Sequence, residues 1–120
     1  MKYLYVLVFG TLGVSSRYFL NETAPSWCFR AFPTVTFSIN ILGSFLIGIT
    51  SVSEGFSANA KFGLMAGFLG GFTTFSAFSL ETLQLIQAGR FLLAAIYAGM
   101  SPILSIASCA LGVSLARMFR

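Results

Sequence analysis

Four long apolar stretches occupy most of this 120-residue chain, approximately over residues 3–20, 34–52, 61–87 and 91–116. A helix that crosses a bilayer needs about 20 predominantly apolar residues. Charged residues make up 8% of the chain, whereas soluble domains carry about 25%. The sequence therefore predicts an all-α integral membrane protein, with four transmembrane helices in a single domain that covers residues 1–120.

The rest of the composition argues against several classes of function. The net charge is +4, but the seven basic residues are scattered between apolar stretches, so no nucleic-acid-binding patch is predicted. Cys28 and Cys109 lack the spacing of metal ligands, and we interpret both as apolar fillers. The chain has no histidine, and its acids are Glu22, Glu54 and Glu81. These residues form no nucleophile–base pair, so the sequence does not predict an enzyme.

The basic residues leave the orientation in the membrane open. With four spans, the N-terminus, the second connection and the C-terminus share one side, which holds Lys2, Lys61, Arg117 and Arg120, while the opposite side holds Arg17, Arg30 and Arg90. An excess of Lys and Arg in cytoplasmic connections normally fixes the orientation. Four against three is almost no bias. Either one orientation prevails, or the chain inserts both ways and pairs as an antiparallel dimer.

The third stretch contains an interruption. Gly70 and Gly71 each cost about 1 kcal/mol against alanine inside a helix, and we expect an unwound turn from Gly70 to Thr74. Such a break at membrane depth is tolerated only where protein or a water-filled cavity covers it, so it indicates a site. Carbonyls freed there would suit a hard monovalent cation. Gly63, Gly67 and Gly71 recur every four residues, which is typical of close helix packing.

Polar residues follow faces of the second and fourth stretches. Thr36, Asn40 and Gly43 share one helical face. An intramembrane asparagine often only bonds a neighbouring helix, but a hydroxyl one turn away favours a pathway lining. The fourth stretch carries a row of hydroxyl and small residues at spacings of three and four, which predicts a polar track or tight helix packing: Tyr97, Ser101, Ser105, Ser108 and Gly112.

Aromatic and charged residues flank the interruption. Phe75 and Phe78 share a helical face, and Glu81 continues it. Aromatic rings have positive edges, which could receive a small anion. Glu81 lies near the membrane boundary, where it either anchors the helix or takes part in transport. Arg17, in the first stretch, is either an interfacial anchor or a cationic funnel for anions.

Three motifs occur in the order found in a known membrane protein family. They are Gly10-x-x-Gly13-x-x-x-Arg17-Tyr18, Thr36-x-x-Ile39-Asn40-x-x-Gly43-x-Phe45-x-x-Gly48, and the run from Gly67 to Glu81 around Gly70-Gly71-Phe72-Thr73-Thr74-Phe75-Ser76-Ala77-Phe78. With them the chain resembles the bacterial fluoride channels (Fluc, also called CrcB) over nearly its whole length. The resemblance implies passive, fluoride-specific export through the inner (cell) membrane. It also implies an antiparallel dual-topology homodimer in the lipid bilayer.

The resemblance also implies roles for individual residues. By similarity, Asn40 is the pore amide, while Phe75 and Phe78 are the rings that meet fluoride. The other pathway positions are Thr36, Ser76, Ser101, Ser105 and Ser108, and the vestibule or accessory positions are Arg17, Glu81 and Tyr97. The family's structural sodium ion (Na+), held by backbone carbonyls at the dimer centre, falls on Gly70 and Thr73. Ala77 stands where a threonine is common.

Two other functions fit four short spans. A small dual-topology exporter of cationic drugs needs a carboxylate deep in its first span, and the first stretch has no Asp or Glu. A non-conducting assembly subunit would use the glycines and serines for packing alone.

Overall fold

A computed structural model describes residues 1–26 and 32–120 of the chain. These two ranges are almost entirely helical and contain no strand. Cys28 and Arg30 lie outside the described residues. The helices are α1 (Lys2–Thr23), α2 (Thr34–Val52), α3 (58–72), α4 (Phe75–Gln87) and α5 (Phe91–Met118). Helix α3 changes type along its length, from α-helical Ala58–Phe62 through π-helical Gly63–Leu69 to α-helical Gly70–Phe72.

Four helical regions are long and apolar enough to cross a membrane. They are Lys2–Thr23, Thr34–Val52, Ala58–Gln87 and Phe91–Met118, and the third combines α3 with α4. The longest dimension of the molecule is 48 Å, which exceeds the hydrocarbon core of about 30 Å. The predicted all-helical architecture with four helices able to span a membrane is confirmed.

The two chain ends and the α2–α3 connection lie at one end of the molecule. The Arg120 guanidinium forms an ion pair with the carboxylate of Glu54, in that connection. The Lys2 ammonium lies 5.6 Å from the centroid of the Phe62 ring, near the start of α3. This is the arrangement expected when four helices cross a membrane in succession.

Helices α1 and α3 pack closely through their glycines. A methyl group added at Gly67 would lie 3.0 Å from the Val6 carbonyl oxygen, and one at Gly71 would lie 3.0 Å from the Gly10 carbonyl oxygen. Gly13 lies directly against the backbone of Phe68. The predicted packing role of the α3 glycines is confirmed, and their partner is α1.

Helices α2 and α5 form a second close pair. Gly48 of α2 lies against the backbone of Cys109, and Gly112 of α5 lies against the backbone of Phe45. The π-helical part of α3 contacts α2 and so joins the two pairs. Helix α4, which continues the third span after α3, contacts α5. The interruption between α3 and α4 therefore lies where the two pairs meet.

Replacing Gly13 by alanine is expected to lower the free energy of unfolding by about 1–3 kcal/mol, as overpacking commonly does. The new methyl group would overlap backbone atoms of Phe68, which cannot rotate away as a side chain can. Thermal unfolding in detergent measures the effect. Gly99→Ala is the matched control, because a methyl group there meets nothing within 4 Å. Equal unfolding midpoints for the two variants would contradict the close contact of α1 with α3.

The interruption in the third stretch is narrower than the sequence predicts. Thr73 (φ −81°, ψ 155°) and Thr74 (φ −150°, ψ 118°) are extended, whereas Gly70 keeps helical angles (φ −64°, ψ −36°). The expected start of the break at Gly70 is therefore corrected to Thr73. Close packing of Gly71 on α1 favours the helix despite the glycine penalty, and β-branched threonines suit an extended backbone.

Candidate functional site

A cavity of about 220 Å³ lies beside the interruption, among α2, α4 and α5. Residues from three separate parts of the chain line it: Asn40, Ser44, Thr73, Thr74, Phe75, Phe78, Ser101, Pro102 and Ser105. Of the residues predicted for the pathway, the structure brings Asn40, Phe75, Phe78, Ser101 and Ser105 together here. Hydroxyls, one amide and two phenyl rings thus share one space.

Asn40 holds the interrupted backbone. Its Nδ2 donates to the Thr74 carbonyl oxygen at 3.1 Å, and its Oδ1 accepts from the Thr74 amide nitrogen at 2.8 Å. These two bonds replace helical bonds that an extended residue cannot make, and they satisfy backbone groups at membrane depth. An amide nitrogen carries two hydrogens, so Asn40 keeps one further donor while its side chain lines the cavity.

Thr74 also begins helix α4. Its Oγ1 accepts from the amide nitrogen of Ala77 at 3.1 Å, which is the bond of an N-cap. The first residue of α4, Phe75, lines the cavity, so the partial positive charge of this helix end lies beside it. Ser76 is exposed, is not among the cavity-lining residues, and has its Oγ 3.2 Å from the Thr74 Oγ1.

The two predicted pathway rings differ in their surroundings. Phe75 and Phe78 have centroids 5.4 Å apart with planes tilted by 44°. Phe78 also lies against the ring of Tyr97, at 5.0 Å and 38°. Tyr97 is fully buried, whereas 78% of Phe75 is exposed. Packing on Tyr97 therefore fixes Phe78, and Phe75 faces the outside of the single chain.

Glu81 is the centre of a second polar cluster. Its Oε1 accepts from the Thr36 hydroxyl at 2.7 Å, and its Oε2 accepts from the Tyr97 hydroxyl at 2.7 Å. Thr36 is 3% exposed. The structure thus joins three residues that the sequence placed on three different helices. They are not among the residues that line the first cavity, and Glu81 and Arg90 both line a second cavity of about 300 Å³.

The predicted row of hydroxyls on α5 divides into two parts. Ser101 and Ser105 line the first cavity, whereas the Ser108 hydroxyl donates to the Ile41 carbonyl oxygen at 3.0 Å. Ser108 therefore joins α5 to α2. Ser44 was not among the predicted pathway residues, although it follows Asn40 by four residues and so shares its helical face.

Arg17 reaches the end of helix α3. Its Nε donates to the Gly71 carbonyl oxygen at 3.2 Å. Thr73 completes this last turn, since its amide nitrogen and its Oγ1 both donate to the Leu69 carbonyl oxygen, at 3.0 Å and 2.9 Å. Within residues 1–26 and 32–120, no donor reaches the Gly70 carbonyl oxygen. The same ranges contain no group of three or more His, Cys, Asp or Glu side chains that could hold a metal ion.

Known proteins of one family are similar to this chain over most of its length. The family model described as CrcB-like protein, Camphor Resistance (CrcB), matches residues 4–113. The fluoride-specific ion channel FluC of Granulibacter bethesdensis is 43% identical over 98% of this chain and 95% of its own. Proteins of the same name from Geotalea uraniireducens (46% identical, 76% of this chain, 77% of its own) and Cereibacter sphaeroides (44%, 95% and 93%) are also similar.

Proposed function

The chain belongs to the CrcB family, and from this membership we propose that it is a fluoride-specific ion channel. Its four helices able to span a membrane make it a multi-pass membrane protein. Passive export of fluoride from the cytoplasm through the inner membrane, which lowers fluoride toxicity, is the function that we infer. The observation that carries the proposal is the cavity at the interrupted helix, where amide, hydroxyl and aromatic groups converge.

The cavity offers what a small, strongly hydrated anion requires. Fluoride gives up its water only where other donors replace it, and the free hydrogen of the Asn40 amide and the hydroxyls of Ser101 and Ser105 are such donors. The rings of Phe75 and Phe78 add positive edges. None of the described residues that line the cavity is ionisable. Fluoride would therefore be bound weakly enough to leave again, as conduction requires.

Fluoride efflux from liposomes tests the proposal. Vesicles that contain the purified protein should release fluoride much faster than empty vesicles, as a fluoride electrode records it, and should retain chloride. Phe78→Ile removes a cavity ring, and Phe56→Ile makes the same change at an exposed position in the α2–α3 connection. We expect only the first variant to slow efflux. Wild-type efflux no faster than that of empty vesicles would contradict the channel.

Two serines on one helix distinguish conduction from packing. Ser105→Ala removes a cavity hydroxyl, and a lost hydrogen bond of about 1 kcal/mol should slow fluoride efflux roughly fivefold. Ser108→Ala removes the bond to the Ile41 carbonyl, and should lower the thermal midpoint while efflux stays near wild type. Efflux and thermal unfolding are measured on both variants. The opposite pattern would exclude Ser105 from the pathway.

We further propose that two copies pair as an antiparallel homodimer. Phe75 lines the cavity yet is 78% exposed in one chain, so a second copy would give this side of the pathway a wall. The nearly equal numbers of basic residues at the two ends permit both orientations. A tag at the N-terminus should be accessible from both sides of the membrane. Labelling from one side alone would contradict dual topology.

We also propose that carbonyls at the end of α3 hold the structural sodium ion that the family resemblance implies. The Gly70 carbonyl oxygen accepts no bond from the described residues, and the extended Thr73 directs its own carbonyl out of the helical ladder. Unwound carbonyls and carbonyls at the C-terminal ends of half-helices coordinate sodium in other membrane proteins. Two such oxygens from each copy of a dimer would surround the ion. The thermal midpoint should therefore fall when N-methylglucamine replaces sodium, and an unchanged midpoint would contradict the site.

Neither alternative function is favoured. The relatives at 43–46% identity all carry the name of a fluoride channel, and neither a cationic drug exporter nor an assembly subunit is among the comparisons given above. A cavity beside an interrupted helix also exceeds what helix packing alone requires.

A further inference from the structure

Two helix ends of opposite polarity meet at the interruption. Helix α3 ends at Phe72, where its last carbonyls carry a partial negative charge, and α4 begins at Phe75, where its first amides carry a partial positive charge. Thr73 and Thr74 join these ends and both line the cavity. An anion in the cavity is therefore attracted by α4 and repelled by α3, and the two effects oppose each other.

Arg17 contacts the negative end. Its Nε donates to the carbonyl oxygen of Gly71, one residue before α3 ends. A guanidinium is a cation that donates hydrogen bonds and accepts none. The packing of α1 on α3 sets its position, because Gly13 lies against the backbone of Phe68 and Val14 lies beside Gly71. Arg17 is thus held at this carbonyl by the same glycine contacts that join the two helices.

We propose that Arg17 strengthens the preference of the pathway for anions by capping the Gly71 carbonyl at the end of α3. Its charge offsets the Gly71 carbonyl, whereas the proposed sodium ion would meet the carbonyls of Gly70 and Thr73. The positive end of α4 therefore acts on the cavity with less opposition than it would without Arg17. Arg17 is a positioning residue here, since it acts through the Gly71 backbone and does not have to touch the ion. The inference rests on the proposed fluoride channel.

Salt dependence distinguishes this role from that of an exposed cationic funnel. Steering of ions by exposed charges weakens steeply with ionic strength, whereas partly buried charges are screened much less. Arg17 is half-buried, and its bond to the Gly71 carbonyl is also part-buried. The effect of removing its charge should therefore be nearly the same in low and in high salt.

The experiment compares Arg17→Lys with Arg17→Gln in liposome efflux. Glutamine keeps a donor but loses the charge, and should slow fluoride efflux roughly tenfold at 20 mM and at 300 mM salt, in the range expected for charges at helix ends. Lysine keeps the charge, and should stay within about threefold of wild type. Arg117→Gln removes the same charge from the last turn of α5, far from the interruption, and should leave efflux unchanged.

A chemically modified cysteine keeps the test valid if Arg17→Gln does not fold. Arg17→Cys, with Cys28→Ala and Cys109→Ala, is purified and then alkylated with either bromoethylamine or iodoacetamide. Both products come from one folded protein, and only the first restores a cation. Faster fluoride efflux for the cationic product supports the proposal, and equal rates overturn it.

The outcomes separate this inference from the proposed function. A wild type without fluoride efflux would overturn both. A conducting wild type with an equally fast Arg17→Gln variant would overturn the inference alone, and so would an Arg17→Lys variant as slow as Arg17→Gln. A loss that disappears in high salt would show that Arg17 acts as an exposed funnel instead.

Discussion

Replacing Asn40 by aspartate is expected to slow fluoride efflux about a hundredfold, the loss expected when a buried partner becomes an unpaired charge. An ionised carboxylate has no hydrogen to donate, so it would face the Thr74 carbonyl that Asn40 now bonds at 3.1 Å. Oxygen would oppose oxygen, and the interrupted backbone would lose one of its two supports. The new negative charge would also lie in the cavity and repel the anion.

A matched substitution separates the effect of the position from the effect of exchanging asparagine for aspartate. Asn59→Asp makes the same replacement at an exposed position in the first turn of α3, where a negative charge near a helix N-terminus is favourable. Its efflux and thermal midpoint should equal those of the wild type. Fluoride efflux of the Asn40→Asp variant at the wild-type rate would show that Asn40 neither supports the interrupted backbone nor acts as the pore amide.

Much of the fold could be predicted because it depends on local composition. Apolar length defines the four helical regions, and the spacing of Gly63, Gly67 and Gly71 indicates close packing whatever the partner. The start of the break could not be predicted from helix propensity. Gly70 and Gly71 are poor helix formers, but the close contact of Gly71 with α1 outweighs that cost, and such contacts are absent from a propensity scale. The π-helical part of α3 likewise has no periodic signal.

The site could be predicted only along each helix. Spacings of three and four place Ser101 with Ser105, and Phe75 with Phe78, on common faces. Periodicity does not identify which face of which helix meets them. The bonds from Arg17 to Gly71 and from Thr36 to Glu81 join positions 54 and 45 residues apart. Such pairs follow from how the helices pack, and a single sequence does not determine that.

Replacing Tyr97 by alanine is expected to lower the free energy of unfolding by about 3–5 kcal/mol, as loss of a buried aromatic ring does. Tyr97 is fully buried, and its ring lies 5.2 Å from that of Phe32 and 5.0 Å from that of Phe78. Its loss would free Phe78 to move in the cavity, so fluoride efflux should also fall. Unfolding in detergent measures the loss of stability, and fluoride efflux from liposomes measures the loss of conduction. Tyr18→Ala, at a 65% exposed position on α1, should change neither.

The hydroxyl and the ring of Tyr97 contribute separately to stability, and a double-mutant cycle distinguishes the two contributions. Tyr97→Phe keeps the ring packing and removes only the donor to Glu81, a charge-assisted bond of about 1.5–3 kcal/mol. Glu81→Gln supplies one oxygen where the carboxylate now accepts from both Tyr97 and Thr36. The two substitutions share a partner, so their effects on stability should not add. Strict additivity would mean that Glu81 does not hold Tyr97, and that ring packing alone fixes Phe78 beside the cavity.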